Sequence, residues 1–236
     1  MTPGAKAMPE QLVLALPHRQ AQEADDFLVS SSNAAAVALV DAWPGWPLPS
    51  QLVVGPAGSG KSHLANVWRL RSGASVVGAK DLSEESVRVF ERHPALVVED
   101  IDRGLGSEQV LFHLLNLARE VSGALLMTAR VAPGEMAIVL PDLRSRLRAT
   151  SPVHIAPPDE SLLRSVLVKL FSDRQLVVEP HVIGYLTTHM ERSMEAAGRI
   201  VARCDRLSLA AQRRVTRAIA GQALAREQPE EGESEL

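Results

Sequence analysis

One eight-residue segment constrains the fold of this chain more than any other. Residues 55–62 read Gly-Pro-Ala-Gly-Ser-Gly-Lys-Ser, which fits the pattern G-x-x-x-x-G-K-[ST], and they follow the apolar run 51–54. Glycines in such a loop let successive backbone N–H groups point inward at phosphate oxygens, and the N-terminus of a following helix adds positive potential. The segment therefore predicts a buried strand, a phosphate-binding loop and a helix that begins near Lys61.

The chemistry of this loop assigns roles to its last residues. Lys61 can reach the β- and γ-phosphates of a nucleotide, and the Ser62 hydroxyl can ligate Mg²⁺. We therefore expect ADP or ATP, with Mg²⁺, as the bound group. The predicted nucleotide-binding residues of this segment are Gly55, Pro56, Ala57, Gly58, Ser59, Gly60, Lys61, Ser62 and His63.

Two acids follow another apolar run, at residues 96–98. They are Glu99 and Asp100. In phosphate-loop folds, a carboxylate at such a strand end holds Mg²⁺, directly or through water, and a second one polarises the attacking water. Position assigns the metal to Glu99, together with Ser62, and the water to Asp100. The usual order is Asp then Glu, so the pair is reversed and the candidate base is one methylene shorter, which argues against fast hydrolysis by this chain itself.

Apolar runs alternate with helical patterns from about residue 50 to residue 156. The strand candidates are 51–54, 75–78, 95–98, 124–128 and 153–155, and the helix candidates among them are 61–70, 83–92 and 107–121, preceded by 33–43. Continuous apolar strands that alternate with helices are typical of an α/β fold, a parallel sheet covered by helices on both faces. After Pro158 only helical patterns remain, which predicts a small helical domain.

Polar residues elsewhere are candidates to act on a bound nucleotide. Thr128 ends the fourth predicted strand and would face the γ-phosphate; the alternative is a strand-end hydroxyl that bonds to the backbone. Arg144 and Arg146 precede the last strand on a loop or short helix, where oligomeric ATPases present an arginine to a neighbouring subunit's nucleotide. A merely solvated face would have the same composition. Arg192 begins a helix of the small domain and could reach back to the β- and γ-phosphates.

The composition excludes several classes of protein. The chain has 25 basic and 28 acidic residues, a net charge of −3, and five of the acids lie in the last ten residues. The remainder is nearly neutral, unlike a protein that coats DNA. A single cysteine, Cys204, excludes a disulfide framework and a cysteine-based zinc site. The sequence has no long apolar run and no charged-then-apolar leader, so we expect a cytoplasmic protein that does not bind membranes.

The order of these motifs resembles the AAA+ ATPases, and within them the DnaA branch. The matching segments are 55–62 (Walker A), 96–100 (Walker B), 125–128 (sensor 1), 143–147 (the arginine-finger box) and 191–197 (sensor 2). In this register Arg146 matches the arginine finger and Arg192 matches the sensor 2 arginine. The resemblance covers roughly residues 25–225 and implies a AAA+ nucleotide-binding module with a helical lid.

Two departures from DnaA point to a subfamily. DnaA continues after its lid into a helix-turn-helix domain, whereas this sequence passes into an acidic stretch, so we expect that DNA reader to be missing. The proline-bounded island 11–17 is similar to the Q-L-x-L-x-L peptide that docks on the bacterial DNA sliding clamp, although an N-terminal strand or hydrophobic staple is the alternative. The predicted clamp-binding residues are Gln11, Leu12, Leu14, Leu16 and Pro17. Together these features resemble the Hda (HdaA) family of DnaA-related regulators.

This resemblance implies a mechanism in trans. The clamp, the beta subunit of the replicative polymerase, would recruit the chain to the replisome, so that it reaches DNA only indirectly. Arg146 would complete the catalytic site of DnaA-ATP, which prevents another round of replication initiation. Members of the family act in the ADP-bound form. The expected domains are an arm (1–25), an α/β nucleotide-binding domain (26–157), a helical lid (158–226) and an acidic disordered tail (227–236). Self-association is compatible with the sequence and is left open.

Other functions fit parts of the sequence. A DnaA-related helicase loader would also lack a helix-turn-helix, but the clamp-like peptide and the near-neutral body argue against it. A nucleoside or nucleotide kinase would have its phosphate loop close to the N-terminus, whereas here the loop begins at Gly55. An adaptor with a vestigial loop would not need the intact Lys61 and Ser62.

Overall fold

The computed structural model describes residues 28–225. Five strands lie within this range: β1 (Ser50–Val54), β2 (Ser75–Gly78), β3 (Ala95–Glu99), β4 (Ala124–Ala129) and β5 (Val153–His154). The α-helices of this range are α1 (Ala34–Asp41), α2 (Lys61–Ser72), α3 (Glu84–Arg92), α4 (Glu108–Glu120), α5 (Pro141–Arg148), α6 (Glu160–Asp173), α7 (Pro180–His189), α8 (Met194–Ala211) and α9 (Arg217–Ala225).

The five strands form one parallel sheet in the order β2-β3-β4-β1-β5. The carboxyl ends of parallel strands share one edge of a sheet, so the loops that follow β1, β3 and β4 meet there. Because β1 lies between β4 and β5, the chain connections run to both sides of β1. Open α/β sheets bind ligands in the crevice at the carboxyl end of a strand where the connections diverge in this way.

Side chains alternate across the sheet and separate two hydrophobic cores. Leu52 of β1 packs with α3, α4 and α5, whereas Val53 packs with α1 and α2. Helices therefore cover both faces, as the sequence predicts, and the α/β fold class is confirmed. The helix of the phosphate loop, α2, lies on one face, and α5 lies on the other.

Helices α6 to α9 build a third core of their own. Its members include Leu167 of α6, Leu186 of α7, Val201 of α8 and Ala220 of α9. Cys204 is fully buried there, and burial raises the pKa of its thiol to about 11, so it acts as a small apolar side chain. In the part of the chain that the structure describes, no helix has the length and apolarity needed to cross a membrane.

Most helix and strand boundaries agree with the sequence prediction to within a few residues. The segment that carries Arg144 and Arg146, for which the sequence allows either a loop or a short helix, is the helix α5. Pro141 stands in its first turn, where a proline costs no hydrogen bond. Glu108 fixes the approach to this helix, because its carboxylate accepts the N–H of Val139 at 2.9 Å.

Candidate functional site

The loop between β1 and α2 has the backbone that a phosphate cradle requires. Gly58 and Gly60 have φ of 68° and 99°, in the left-handed region that glycine enters without strain. Gly60 is the residue before α2, so the loop passes directly into the N-terminus of that helix. Unpaired N–H groups at such a terminus attract anions.

Lys61 is held at the first turn of α2 by the loop itself. Its Nζ donates to the carbonyl oxygens of Gly55 and Pro56, both at 2.8 Å. The side chain is only 7% exposed, and burial lowers the pKa of Lys61, while the nearby carboxylate of Asp100 opposes that shift. The ammonium group is therefore aimed by the loop and lies close to the acidic end of β3.

Ser59 also fits a ligand in this loop. Its hydroxyl is buried, and within residues 28–225 it has no hydrogen-bond partner. A buried hydroxyl without a partner is costly. Together with Lys61 and the exposed Ser62 at the start of α2, it gives the loop donors suited to nucleotide phosphates and a hydroxyl suited to Mg²⁺.

The acidic end of β3 and the end of β4 are joined by Thr128. Asp100 has φ of 58°, and its N–H donates to Thr128 Oγ1 at 3.0 Å, while the N–H of Ile101 donates to the Thr128 carbonyl at 3.0 Å. The structure thus shows the backbone-bonding alternative for Thr128, and its hydroxyl keeps one proton to donate. Glu99 is the last residue of β3 and is half-buried.

Two charged residues that the sequence reasoning missed lie at the same edge. The N–H of Arg130 donates to Asp102 Oδ1 at 3.1 Å, and both charges act on Lys61, which places them near the loop. In the sequence, Asp102 follows the predicted site residue Asp100 by two positions, and Arg130 follows Thr128 by two positions. The parallel topology that brings these strand ends together was the available signal.

A groove of about 440 Å³ opens beside the first residues of the loop. It lies across the ends of β4, β1 and β5. Its polar lining includes Ser31, Ser32, Arg130, Glu135 and His154. Among residues 28–225 there is no group of three or more His, Cys, Asp or Glu that could hold a metal ion.

The two candidate arginines stand in different places. Arg146, on α5, is half-buried, and its Nη2 donates to Asn116 Oδ1 of α4 at 3.1 Å. It belongs to the face of the sheet opposite α2. Arg192 is exposed just before α8, and the residues of that segment that contact the loop are Ser193 and Met194. The predicted clamp-binding residues 11–17 lie outside the described residues.

A threonine-to-valine change tests the junction between β3 and β4. Thr128 is 1% exposed, and Thr128→Val keeps the branched shape but leaves the Asp100 N–H without its acceptor. We expect a loss of about 1 kcal/mol in the free energy of unfolding, which lowers the melting temperature by roughly 2–4 °C. Thermal unfolding followed by circular dichroism measures it. Thr128→Ser should retain most of the stability, and a valine variant as stable as the parent would contradict this role.

The fold matches AAA+ proteins of known structure. Domain III of the replication initiation protein DnaA from Thermotoga maritima superposes with a TM-score of 0.73 at 16% identity, over 86% of this chain and 95% of that one. AMPPCP-bound DnaA from Aquifex aeolicus gives 0.64 at 17% identity, over 79% of this chain and 64% of that one, so this chain spans less than two thirds of its length. The RuvB Holliday junction branch migration motor of Thermotoga maritima gives 0.62 at 18% identity, over 81% and 66%. The fold class is thus that of a AAA+ module.

The helical domain matches a described protein family. Residues 160–223, which comprise α6 to α8 and most of α9, match the family described as "Hda, lid domain". The helical domain is thus similar to the Hda lid domain, and the fold of the chain is similar to that of DnaA domain III.

Proposed function

We propose that this chain is a nucleotide-bound regulator of replication initiation that promotes hydrolysis of the ATP held by DnaA. The observation that carries the proposal is the position of Arg146. This arginine lies on the α5 face of the sheet, whereas the phosphate loop leads into α2 on the opposite face. An arginine finger placed there serves a nucleotide bound to another chain.

The nucleotide of the chain itself is ADP or ATP with Mg²⁺. The loop 55–62 would surround the phosphates, Lys61 would bind the β- and γ-phosphates, and Ser62 with Glu99 would hold the metal. Mg²⁺ would supply charge neutralisation between the phosphates. The contacts of Lys61 with two loop carbonyls support this assignment, because they aim its ammonium group along the loop.

Hydrolysis by the chain itself is slow in this proposal. Asp100, the candidate base, is a short side chain on a left-handed backbone, and its carboxylate lies 3.5 Å from the guanidinium of Arg103. Both features limit its reach toward a water at the γ-phosphate. Nucleotide binding would then serve to hold the α/β domain (26–157) and the lid (158–226) in an active arrangement.

For Arg146 to reach the ATP site of DnaA, α5 must dock on the surface of DnaA. Arg146 is oriented by Asn116. Arg144 and Arg148 are exposed and lie two residues from it on either side, so they point away from Arg146, which is the ordered guanidinium of α5. The planar guanidinium suits the charge that develops on a transferring phosphoryl group. Stimulation of DnaA by the ADP form of this chain, on DNA-loaded clamp, tests the proposal. Binding to the replicative helicase without any effect on DnaA would instead indicate a helicase loader.

The clamp peptide is tested by three substitutions. Gln11→Ala, Leu14→Ala and Leu16→Ala together remove the proposed register amide and two apolar anchors, so we expect clamp binding to fall by at least about 100-fold, since buried anchors each contribute 1 kcal/mol or more. Surface plasmon resonance on immobilised clamp measures this. Nucleotide affinity should be unchanged, and equal clamp affinity of the variant and the parent would refute the assignment. Such recruitment would place this cytoplasmic protein at the replisome.

A further inference from the structure

The lid and the phosphate loop are in direct contact. The N–H of Met194, the first residue of α8, donates to the carbonyl oxygen of Gly58 at 2.7 Å. Ser193, which precedes it, is 3% exposed. A Cβ at Gly58 would lie 2.5 Å from Ser193 Cβ and 3.0 Å from its Oγ. The start of α8 and the middle of the loop therefore pack with no room for a methyl group between them.

Helix capping explains which groups are used in this contact. The first N–H groups of an α-helix have no partner within the helix. In α8, Ser193 Oγ accepts the N–H of Ala196 at 3.0 Å, and the N–H of Met194 is satisfied by Gly58 instead. If the lid undocked, the N–H of Met194 and the carbonyl of Gly58 would lose this hydrogen bond and would have to bind water instead.

The peptide that the lid contacts is also held from within the loop. Its carbonyl, from Gly58, accepts from Met194, and its N–H, from Ser59, donates to the Pro56 carbonyl at 3.3 Å. Rotation of this peptide would break the bond to the lid, and movement of α8 would release the peptide. Lid position and loop conformation are thus linked through one peptide group.

We propose that the start of α8 locks the Gly58 peptide, through the N–H of Met194 and the packing of Ser193 against the loop, so that nucleotide binding and lid docking stabilise each other. This inference rests on the proposed nucleotide binding by the loop. The coupling is reciprocal, because an effect of lid docking on nucleotide affinity requires an equal effect of nucleotide on lid docking. The exposed Arg192 is not needed for this link.

A double-mutant cycle tests the coupling. Gly58→Ala introduces the methyl group that meets Ser193, and we expect ADP affinity to fall about tenfold or more. Ser193→Gly removes the atom that this methyl meets, and glycine is tolerated as a helix N-cap. The double variant Gly58→Ala/Ser193→Gly should therefore regain much of the lost affinity. Calorimetric titration with ADP measures all four proteins.

Two matched variants separate the contributions of strain and capping. Gly104 has φ of 97° with nothing within 4 Å of an added Cβ, so Gly104→Ala reports backbone strain alone. Ser107 caps α4 by accepting the N–H of Val110 at 3.2 Å, so Ser107→Gly reports the loss of a cap alone. Thermal unfolding of each variant establishes that it is folded.

Hydrogen exchange at the Met194 amide is the readout that a purely structural role would not move. In the parent, ADP should slow this exchange; in Gly58→Ala it should be fast, and the double variant should restore protection. A double variant as weak as Gly58→Ala, or no effect of ADP on Met194 in a parent that binds ADP, would overturn the inference. If the parent binds no ADP, the proposed function fails, whereas exchange at Met194 across the same variants still tests the contact.

Discussion

Arg146→Ala is expected to abolish the stimulation of DnaA ATP hydrolysis while the chain stays folded and bound to the clamp. Arginine fingers raise hydrolysis rates by about 10³- to 10⁵-fold, so the loss should bring the rate down to that of DnaA alone. The fold itself should tolerate the change, because Arg146 is half-buried and contributes one hydrogen bond, to Asn116. A bond of this kind is worth about 1 kcal/mol.

The control for this change lies on the same helix. Arg148 is exposed on α5, and Arg148→Ala makes the same chemical change away from the ordered guanidinium. Single-turnover hydrolysis of ATP on DnaA, with DNA-loaded clamp, should separate the two variants by orders of magnitude. If Arg146→Ala stimulates DnaA as well as the parent does, the finger assignment is wrong.

Lys61→Met is expected to weaken nucleotide binding by about 10- to 100-fold. The change keeps the length of the side chain but removes an ammonium group, and hydrogen bonds to charged groups are worth about 1.5–3 kcal/mol. Lys61 is buried at the start of α2 and bonded to two carbonyls of the loop. Methionine is therefore chosen because a side chain of different size would change the packing as well as the charge. Calorimetry with ADP and Mg²⁺ measures the affinity.

A second lysine provides the comparison. Lys80 is exposed and lies outside the loop, so Lys80→Met should bind ADP as the parent does. Unaltered affinity in Lys61→Met would refute the role of the loop, whatever the outcome for Arg146. Loss of affinity in both variants would show that the effect comes from net charge rather than from position.

The sequence predicts the α/β module because its local signals agree with one another. Residues 52–54 are all apolar, as expected for a strand that is buried on both faces, and they lead into a loop whose glycines adopt the left-handed backbone. The helices of the lid are also predictable from the sequence, since apolar residues such as Leu163 and Leu167 recur at helical spacing and belong to its core. Segment 141–148 was harder to predict because eight residues with few apolar positions give a weak helical period.

The site was only partly predictable, because its contacts join residues that are far apart in sequence. Thr128 bonds to the backbone at Asp100, which is 28 residues away. Arg130 and Asp102 come together only through the register of neighbouring strands, which periodicity does not reveal. The contact of Met194 with Gly58 depends on how the lid sits on the sheet, and no local pattern encodes that placement.

Hydrolysis of DnaA-bound ATP decides whether this chain acts on the nucleotide of DnaA. Radiolabelled ATP on DnaA is followed in a single turnover with the ADP form of the chain, in the presence and absence of clamp loaded on DNA. We expect rapid conversion to ADP only when both the chain and the loaded clamp are present. Conversion at the rate of DnaA alone under all of these conditions would contradict it.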